Sequence, residues 1–122
     1  MGDDFAIWCS EPVEFVEEWR SFIRCGEFVN TACYKPSLHE EGPDFDMLHA
    51  AISAYKDAPA AYSLDCGITA GGETLLIEVN DGYALGAYGC NCISYALFLS
   101  ARWAELVGAA DPFAHLPATE SA

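Results

Sequence analysis

Positive charge is scarce in this sequence. Five Lys and Arg residues stand against nineteen Asp and Glu residues, which gives a formal net charge of -14 at pH 7. A surface of that sign repels phosphate backbones and anionic membranes, so we expect neither nucleic acid nor a membrane among the partners. A polyanionic ligand would need a local cationic group or a divalent metal ion to offset the carboxylates.

Targeting signals and metal-binding cysteine patterns are also missing. No apolar run reaches the length that crosses a bilayer, and the first residues, Met1 to Asp4, are acidic where a secretory signal is basic. The six cysteines form no CxxC pair and have no zinc-ligand spacing. The sequence therefore predicts a soluble cytoplasmic protein without disulfide staples or a structural zinc ion.

Apolar residues are abundant enough for one core. The chain has 122 residues, of which 52% are hydrophobic and 20% charged, and this composition favours one globular domain over a disordered chain. We expect three parts: an N-terminal segment without a clear pattern over residues 1–12, a folded subdomain over 13–107, and a flexible tail over 108–122.

The residue pattern of the folded part predicts two hairpins, each followed by a helix. Period-two alternation indicates the strands, and apolar residues spaced three and four apart indicate the helices. In chain order we expect strands over 13–24 and 28–34, a helix from Phe45 that ends before Pro59, strands over 60–69 and 74–80, and a helix over 91–107. The predicted fold class is α+β, with an antiparallel sheet from two hairpins and two helices packed on one face.

The register of the second hairpin follows from its glycine pair. Gly71 and Gly72 suit the central positions of a type I′ turn, both of which need positive φ. Alternation then separates an apolar face from a polar one. Counting from this turn pairs Thr69 with Thr74, Ile68 with Leu75, Cys66 with Ile77, Asp65 with Glu78, Leu64 with Val79, and Ser63 with Asn80.

Two carboxylates oppose each other in this register. Cross-strand neighbours have Cβ atoms roughly 5 Å apart, and like charges so placed destabilise a sheet. A bound divalent cation would compensate, and the oxygen ligands of Asp65, Glu78 and Asn80 suit Mg²⁺. The alternative is the solvated face of an edge hairpin, whose acidic residues simply lie in water.

The first hairpin places basic residues on one face. Two of the five basic residues, Arg20 and Lys35, share this face with Glu18, which favours contact with a phosphate or an acyl phosphate. The alternative is a surface salt bridge of Glu18 with Arg20, or a lysine whose stem lies along the surface. Counting from a tight turn at residues 25–26 pairs Val16 with Lys35, Glu18 with Cys33, and Arg20 with Thr31.

These stretches resemble a known family. The likeness lies in Glu18 to Phe22, Ala61 to Gly67 and Ile77 to Cys90, and its most specific piece is Glu78-x-Asn80 followed by a glycine-containing loop. The sequence resembles the C-terminal part of an ATP-grasp domain, in the clade named for its arginine-to-lysine replacement. The resemblance covers roughly residues 13–107, and it implies that the α+β fold is like the C-terminal half of an ATP-grasp fold.

The resemblance implies an ATP-dependent carboxylate ligase. In such enzymes a carboxylate is activated as an acyl phosphate and then captured by an amine or a similar nucleophile, and phosphoryl transfer depends on positioning and charge neutralisation. The expected ligands are ATP, Mg²⁺ and a carboxylate substrate. By position, Asp65, Glu78 and Asn80 match the Mg²⁺ ligands of the family.

The remaining site residues follow less directly from the resemblance. Ser63 stands where many ATP-grasp enzymes have an arginine, and Lys35 is the candidate substitute because it shares a face with Arg20. We therefore expect Arg20 and Lys35 as catalytic residues, and Glu18 and Ser63 as cofactor-binding residues.

The likeness covers only part of an ATP-grasp enzyme. Such enzymes also have a lobe with a phosphate-binding lysine, a hinge that binds adenine and a glycine-rich flap, and residues 1–12 supply none of these. The chain would then be half of a site completed by a second chain or an N-terminal part, or an inactive remnant. We expect it to bind Mg²⁺-ATP weakly and to turn nothing over alone.

A second class of function also fits the composition. Small size and strong negative charge suit a non-enzymatic acidic interaction protein that docks a basic partner.

Overall fold

The fold is a four-stranded antiparallel sheet with two helices. The computed structural model describes residue 2, residues 4–38 and residues 41–117. The sheet order is β2-β1-β3-β4, so the hairpins β1-β2 and β3-β4 join side by side through β1 and β3. The α+β class and the two hairpins are as predicted. The elements are β1 (Phe15–Arg24), β2 (Glu27–Lys35), α1 (Phe45–Ala54), β3 (Ala61–Thr69), β4 (Thr74–Asp81) and α2 (Cys92–Val107).

The turn of the first hairpin lies where the sequence predicts, but the strand pairing departs from the predicted register with distance from the turn. Cys25 and Gly26 have φ of 51° and 78°, as a type I′ turn requires. Two irregularities, at Phe22/Ile23 and Glu18/Trp19, shift the later pairs because each inserts an unpaired residue. The predicted pairs of the polar face are therefore wrong: Glu18 lies opposite Lys35 rather than Cys33, Lys35 opposite Glu18 rather than Val16, and Arg20 opposite Ala32 rather than Thr31.

The second hairpin has the predicted register only at its far end. Gly72 has positive φ and Gly71 does not, and the Gly72 N–H donates to the Thr69 carbonyl at 2.9 Å, so the turn is not type I′. Near the turn the predicted pairs are wrong by one residue, because Ile68 faces Thr74 and Cys66 faces Leu76. A register shift between Cys66 and Asp65 restores three predicted pairs: Asp65 with Glu78, Leu64 with Val79, and Ser63 with Asn80.

Both helices begin at side-chain caps. Asp44 accepts hydrogen bonds from the backbone N–H groups of Asp46 and Met47, as expected of the cap of α1. Asn91 accepts from the N–H of Ser94 at the start of α2, and Gly108 ends that helix in the left-handed conformation.

The two helices pack on opposite faces of the sheet, which corrects the prediction that they share one face. One core cluster contains Phe22, Ala61 and Phe98, and so joins β1 and β3 to α2. The other contains Ile23, Tyr62 and Leu64 of the opposite pleat, against which residues 51–52 of α1 pack. Because α2 covers one face of the sheet and α1 covers the other, every residue from Ala61 to Ile68 is buried.

Part of the predicted C-terminal tail is held against the sheet. The guanidinium of Arg24 donates to the Asp111 carboxylate at 2.9 Å and to the carbonyls of Phe113 at 2.8 Å and Leu116 at 3.2 Å. Residues 118–122 of that tail, and Met1 and Asp3 of the predicted N-terminal segment, lie outside the described residues. The division into three parts stays a prediction.

The helices are short for a membrane. In the part of the chain that the structure describes, no helix combines the length and the apolar character needed to cross a bilayer.

Candidate functional site

Arg20 and Asp65 form an ion pair in the middle of the sheet. They are direct partners on β1 and β3. The Nε of Arg20 donates to Oδ1 of Asp65 at 2.8 Å and Nη2 donates to Oδ2 at 2.7 Å. Both side chains are almost fully buried, at 8% and 2% exposure. The bond to Asp65 raises the pKa of Arg20 above its usual value, although burial acts in the opposite direction.

Glu78 and Asn80 lie next to this pair on β4. Glu78 is directly opposite Asp65, and the Nδ2 of Asn80 donates to Oε1 of Glu78 at 3.2 Å. Glu78 is exposed, whereas Asp65 is buried. The structure therefore brings the three predicted metal ligands to neighbouring positions on β3 and β4, and only Asp65 among them has a bidentate basic partner.

The loop between β4 and α2 covers the ion pair. The Nη1 of Arg20 donates to the carbonyl of Gly86 at 3.3 Å, and its guanidinium carbon lies 4.5 Å from the centre of the Tyr88 ring. Tyr34 of β2 packs on Tyr88 with 5.0 Å between ring centres. Burial, and then the charges of Asp65 and Glu18, raise the pKa of the Tyr34 phenol, so Tyr34 stays protonated at neutral pH.

Lys35 and Glu18 form a second, more exposed pair. Their atoms Nζ and Oε1 are 3.3 Å apart, with half of the lysine side chain exposed. The same Nζ donates to the carbonyl of Phe15 at 2.7 Å. Glu18 thus contacts Lys35 rather than Arg20, and Arg20 contacts the other hairpin.

Ser63 is placed differently from the other predicted site residues. It is fully buried, with 0% exposure, opposite Phe22 and Asn80. Its Oγ is among the buried polar atoms of the described residues that lack a hydrogen-bond partner. Contact between Ser63 and a nucleotide stays a prediction, and it would require the surrounding chain to open.

The chemistry of the donor set fits a hard cation. Two carboxylates and one side-chain amide provide the oxygen ligands that Mg²⁺ prefers. Asp65 is not free to coordinate an ion in this conformation, because both of its carboxylate oxygens accept hydrogen bonds from Arg20. Within the described ranges, His, Cys, Asp and Glu side chains form no group of three that could hold a metal ion, so any site here relies on the amide of Asn80.

Burial disfavours the thiolate form of the two buried cysteines in β3 and the β4-α2 loop. Burial, with a smaller effect of the neighbouring Asp65 charge, raises the pKa of Cys66 to about 12. Burial also raises the pKa of Cys90. Because the thiolate is the nucleophilic form, neither residue is suited to covalent catalysis at neutral pH.

Sequence reasoning missed Tyr34, whose contact with Tyr88 depends on tertiary structure, and the buried carboxylate of Glu17. Glu17 is 2% exposed and accepts hydrogen bonds from Ser37 at 2.6 Å and Trp19 at 3.0 Å. These bonds, that of Ser37 above all, lower its pKa against the effect of burial. Strand alternation could have found it, since Glu17 falls on the same side as Trp19 and Ile23.

Comparison with protein families identifies the chain. A family described as an ATP-grasp domain, family 2 of the arginine-to-lysine clade, matches residues 1–98. The chain belongs to this ATP-grasp family. A comparison with curated proteins finds no match.

One solved structure supports the same fold. The chain is similar to the macrocyclase MdnB from Microcystis aeruginosa MRC, with a TM-score of 0.51 and 23% sequence identity. The match covers 73% of this chain and 39% of the MdnB chain. At this identity the likeness establishes the fold alone, and the match spans well under half of the MdnB chain.

Proposed function

We propose that this chain is the Mg²⁺-dependent ATP-binding subdomain of an ATP-grasp carboxylate ligase, and that it is incomplete as a single chain. One observation carries the proposal: in a chain of this family, Asp65 and Glu78 are direct cross-strand partners and Asn80 contacts Glu78. In this conformation Arg20 neutralises Asp65, while Glu78 is exposed on β4. The side chains of Asp65, Glu78 and Asn80 together offer the carboxylate and amide oxygens that Mg²⁺ prefers, so the arrangement suits a role in cation binding.

The chain's own residues have distinct parts in this proposal. A bound Mg²⁺ ion would supply neutralisation of phosphate charge. Glu78 and Asn80 would hold it from the exposed side of β4, and Asp65 would complete the set. Lys35 would contact phosphate or acyl phosphate, because half of its side chain is exposed and, among the described residues, its ion pair is with Glu18.

The rest of the reaction needs groups beyond these residues. The match to 39% of the MdnB chain is consistent with a nucleotide lobe supplied by a second chain or a further part of the same one. We propose a carboxylate substrate activated as an acyl phosphate and captured by an amine or similar nucleophile, in a cytoplasmic setting. The chain alone should not hydrolyse ATP, and robust hydrolysis by the purified chain would overturn this part.

Thermal unfolding with a non-hydrolysable ATP analogue tests the nucleotide site. A ligand that binds only the native state stabilises it, by about 2.7 kcal/mol at one hundred times its Kd. We expect the analogue with Mg²⁺ to raise the Tm of the wild type more than Mg²⁺ alone or the analogue with a chelator. Glu78→Gln should lose that increase. Glu73→Gln is the matched control, because Glu73 is also an exposed glutamate of the same hairpin.

The same experiment separates the two classes of function. If no ligand condition shifts the Tm of the wild type, the ATP-binding proposal fails and the acidic interaction protein is favoured. If Glu73→Gln loses the shift as fully as Glu78→Gln, the effect is one of total charge and not of the proposed ligands.

A further inference from the structure

The Asp65 carboxylate is not accessible to an ion in this conformation. Its side chain is 2% exposed, and both oxygens accept from Arg20. Glu78, directly opposite, is exposed. An ion arriving from solvent therefore meets Glu78 and Asn80 first, and it reaches Asp65 only if Arg20 moves.

Arg20 also links Asp65 to the loop of residues 82–91, which joins β4 to α2. Beyond the two bonds to Asp65, its guanidinium donates to the Gly86 carbonyl and lies on the Tyr88 ring. A cation on Asp65 would repel the guanidinium at close range. A movement of Arg20 away from Asp65 would break or rearrange both loop contacts.

From these contacts, and resting on the function proposed above, we propose that Arg20 is a positioning residue that exchanges with the metal ion on Asp65. Before the ion binds, Arg20 neutralises Asp65 and holds the loop 82–91 over the sheet. When Asp65 turns to the ion with Glu78 and Asn80, Arg20 leaves it, the contacts with Gly86 and Tyr88 are released, and the loop opens. Metal binding and loop opening are then one coupled event.

Side-chain NMR of the arginines tests this exchange without any enzyme assay. The chain has three arginines, Arg20, Arg24 and Arg102, so three Nε–H signals are expected, and Arg20→Lys assigns that of Arg20. Arg102 is an internal control, because its Nε donates to Asp81 at 2.7 Å in a pair of the same form. The probe is Mg²⁺ alone, titrated into the wild type.

Two further signals report the ion and the loop. The side-chain amide of Asn80 reports binding of the ion. The backbone N–H of Cys90, which donates to the Ala87 carbonyl at 2.8 Å, reports loop opening through its hydrogen exchange. We expect Asn80, the Arg20 Nε–H and Cys90 exchange to change with one midpoint, with a several-fold rise in the exchange rate, while Arg102 stays unchanged.

The outcomes separate this inference from the function on which it rests. If Mg²⁺ shifts Asn80 but leaves Arg20 and Cys90 unchanged, the exchange is wrong and the metal site stands. If Mg²⁺ shifts none of the three signals, the metal site and the exchange fail together. Glu78→Gln should abolish all three changes, and if they persist in that variant the ion binds elsewhere and the inference is overturned.

A variant in which residue 20 binds Asp65 more weakly gives a second test, through its Mg²⁺ titration midpoint. Lysine cannot form the bidentate pair, so Arg20→Lys should move the Mg²⁺ midpoint to a lower concentration. A purely structural Arg20 would leave that midpoint unchanged or raise it, which would contradict the exchange. The wild-type titration decides the question if this variant does not fold.

Discussion

The guanidinium of Arg20 occupies both oxygens of Asp65 across the β1-β3 seam, at 2.8 and 2.7 Å. Arg20 therefore supplies a positive charge beside the two opposed carboxylates of the second hairpin, whose like charges would otherwise destabilise the sheet. Asp65 and Glu78 do lie opposite each other, and the cation that neutralises Asp65 in this conformation is a side chain from the first hairpin. Any metal ion that binds Asp65 therefore competes with the Arg20 guanidinium for its carboxylate.

Asp65→Asn should destabilise the fold strongly, because it leaves Arg20 buried without its carboxylate. Breaking one partner of a buried ion pair costs roughly 3–5 kcal/mol, measurable by urea unfolding at neutral pH. Glu78→Gln removes an exposed carboxylate opposite the same residue and should change the free energy of unfolding by less than about 1 kcal/mol. Replacing both partners, as Arg20→Met with Asp65→Leu, should be milder than Asp65→Asn, and equal losses would contradict this account.

Glu17 should make stability depend on pH under acidic conditions. The pKa of Glu17 is lower in the folded protein than in the unfolded chain. The ionised carboxylate therefore stabilises the fold fully at pH values above the unfolded-state pKa. This stabilisation is lost as the pH falls through the folded-state pKa. Glu17→Gln should be less stable than the wild type at pH 7, and the difference should shrink below about pH 4.3. Thermal unfolding across this pH range measures the difference, with Glu14→Gln, at an exposed position just before β1, as the control for the loss of one negative charge.

Gly82 fixes the start of the loop over the site. A Cβ at this position would lie 2.4 Å from the carbonyl oxygen of Ala61, the same oxygen that accepts from the Gly82 N–H at 3.0 Å. Gly82→Ala should lower the free energy of unfolding by about 1–3 kcal/mol, as overpacking does. At Gly86 the atoms nearest to a Cβ would be those of Tyr88, at 3.7 Å or more, so Gly86→Ala is the matched control. Similar losses in the two variants would argue against the clash.

Cys25 occupies a turn position that suits another residue better. Its φ of 51° is a conformation that Asn adopts more readily than most residues, and Asn-Gly is preferred in type I′ turns. Cys25→Asn should raise the Tm, whereas Cys25→Val should lower it, because a β-branched residue is strained at positive φ. Differential scanning calorimetry checks both, and an increase with valine would show that backbone conformation does not control this turn.

Lys35 should matter for nucleotide binding and little for folding. Its exposed pair with Glu18 is of a kind that contributes about 0.2–1 kcal/mol, whereas a hydrogen bond to a charged group contributes about 1.5–3 kcal/mol. Lys35→Ala should therefore weaken binding of the Mg²⁺-ATP analogue roughly tenfold or more in calorimetric titration. Lys56→Ala is the control, because Lys56 is likewise exposed and its Nζ also donates to a backbone carbonyl at 2.7 Å. Equal binding by the two variants would remove Lys35 from the site.

Local structure followed closely from local sequence. Asp44 caps α1, Gly108 ends α2, and the Cys25-Gly26 turn reverses the first hairpin, because caps and tight turns depend on a few neighbouring residues. Register was harder to predict. The opposition of Asp65 and Glu78 was predicted from a turn type that the structure does not have, and a later shift of one residue restored the pairing.

The sequence by itself determined the elements and their order, since strand alternation, caps and turn residues act over short distances along the chain. The opposition of Asp65 and Glu78 depended in addition on a register shift between Asp65 and Cys66. The tertiary structure alone decided that β1 pairs with β3, that α1 and α2 lie on opposite faces, and that Arg20 reaches Asp65. Arg20 and Asp65, for example, are 45 positions apart along the chain. The pairing of β1 with β3 and the faces that the helices cover depend on how all the apolar faces are buried together. The spacing of residues within one hairpin does not reveal this.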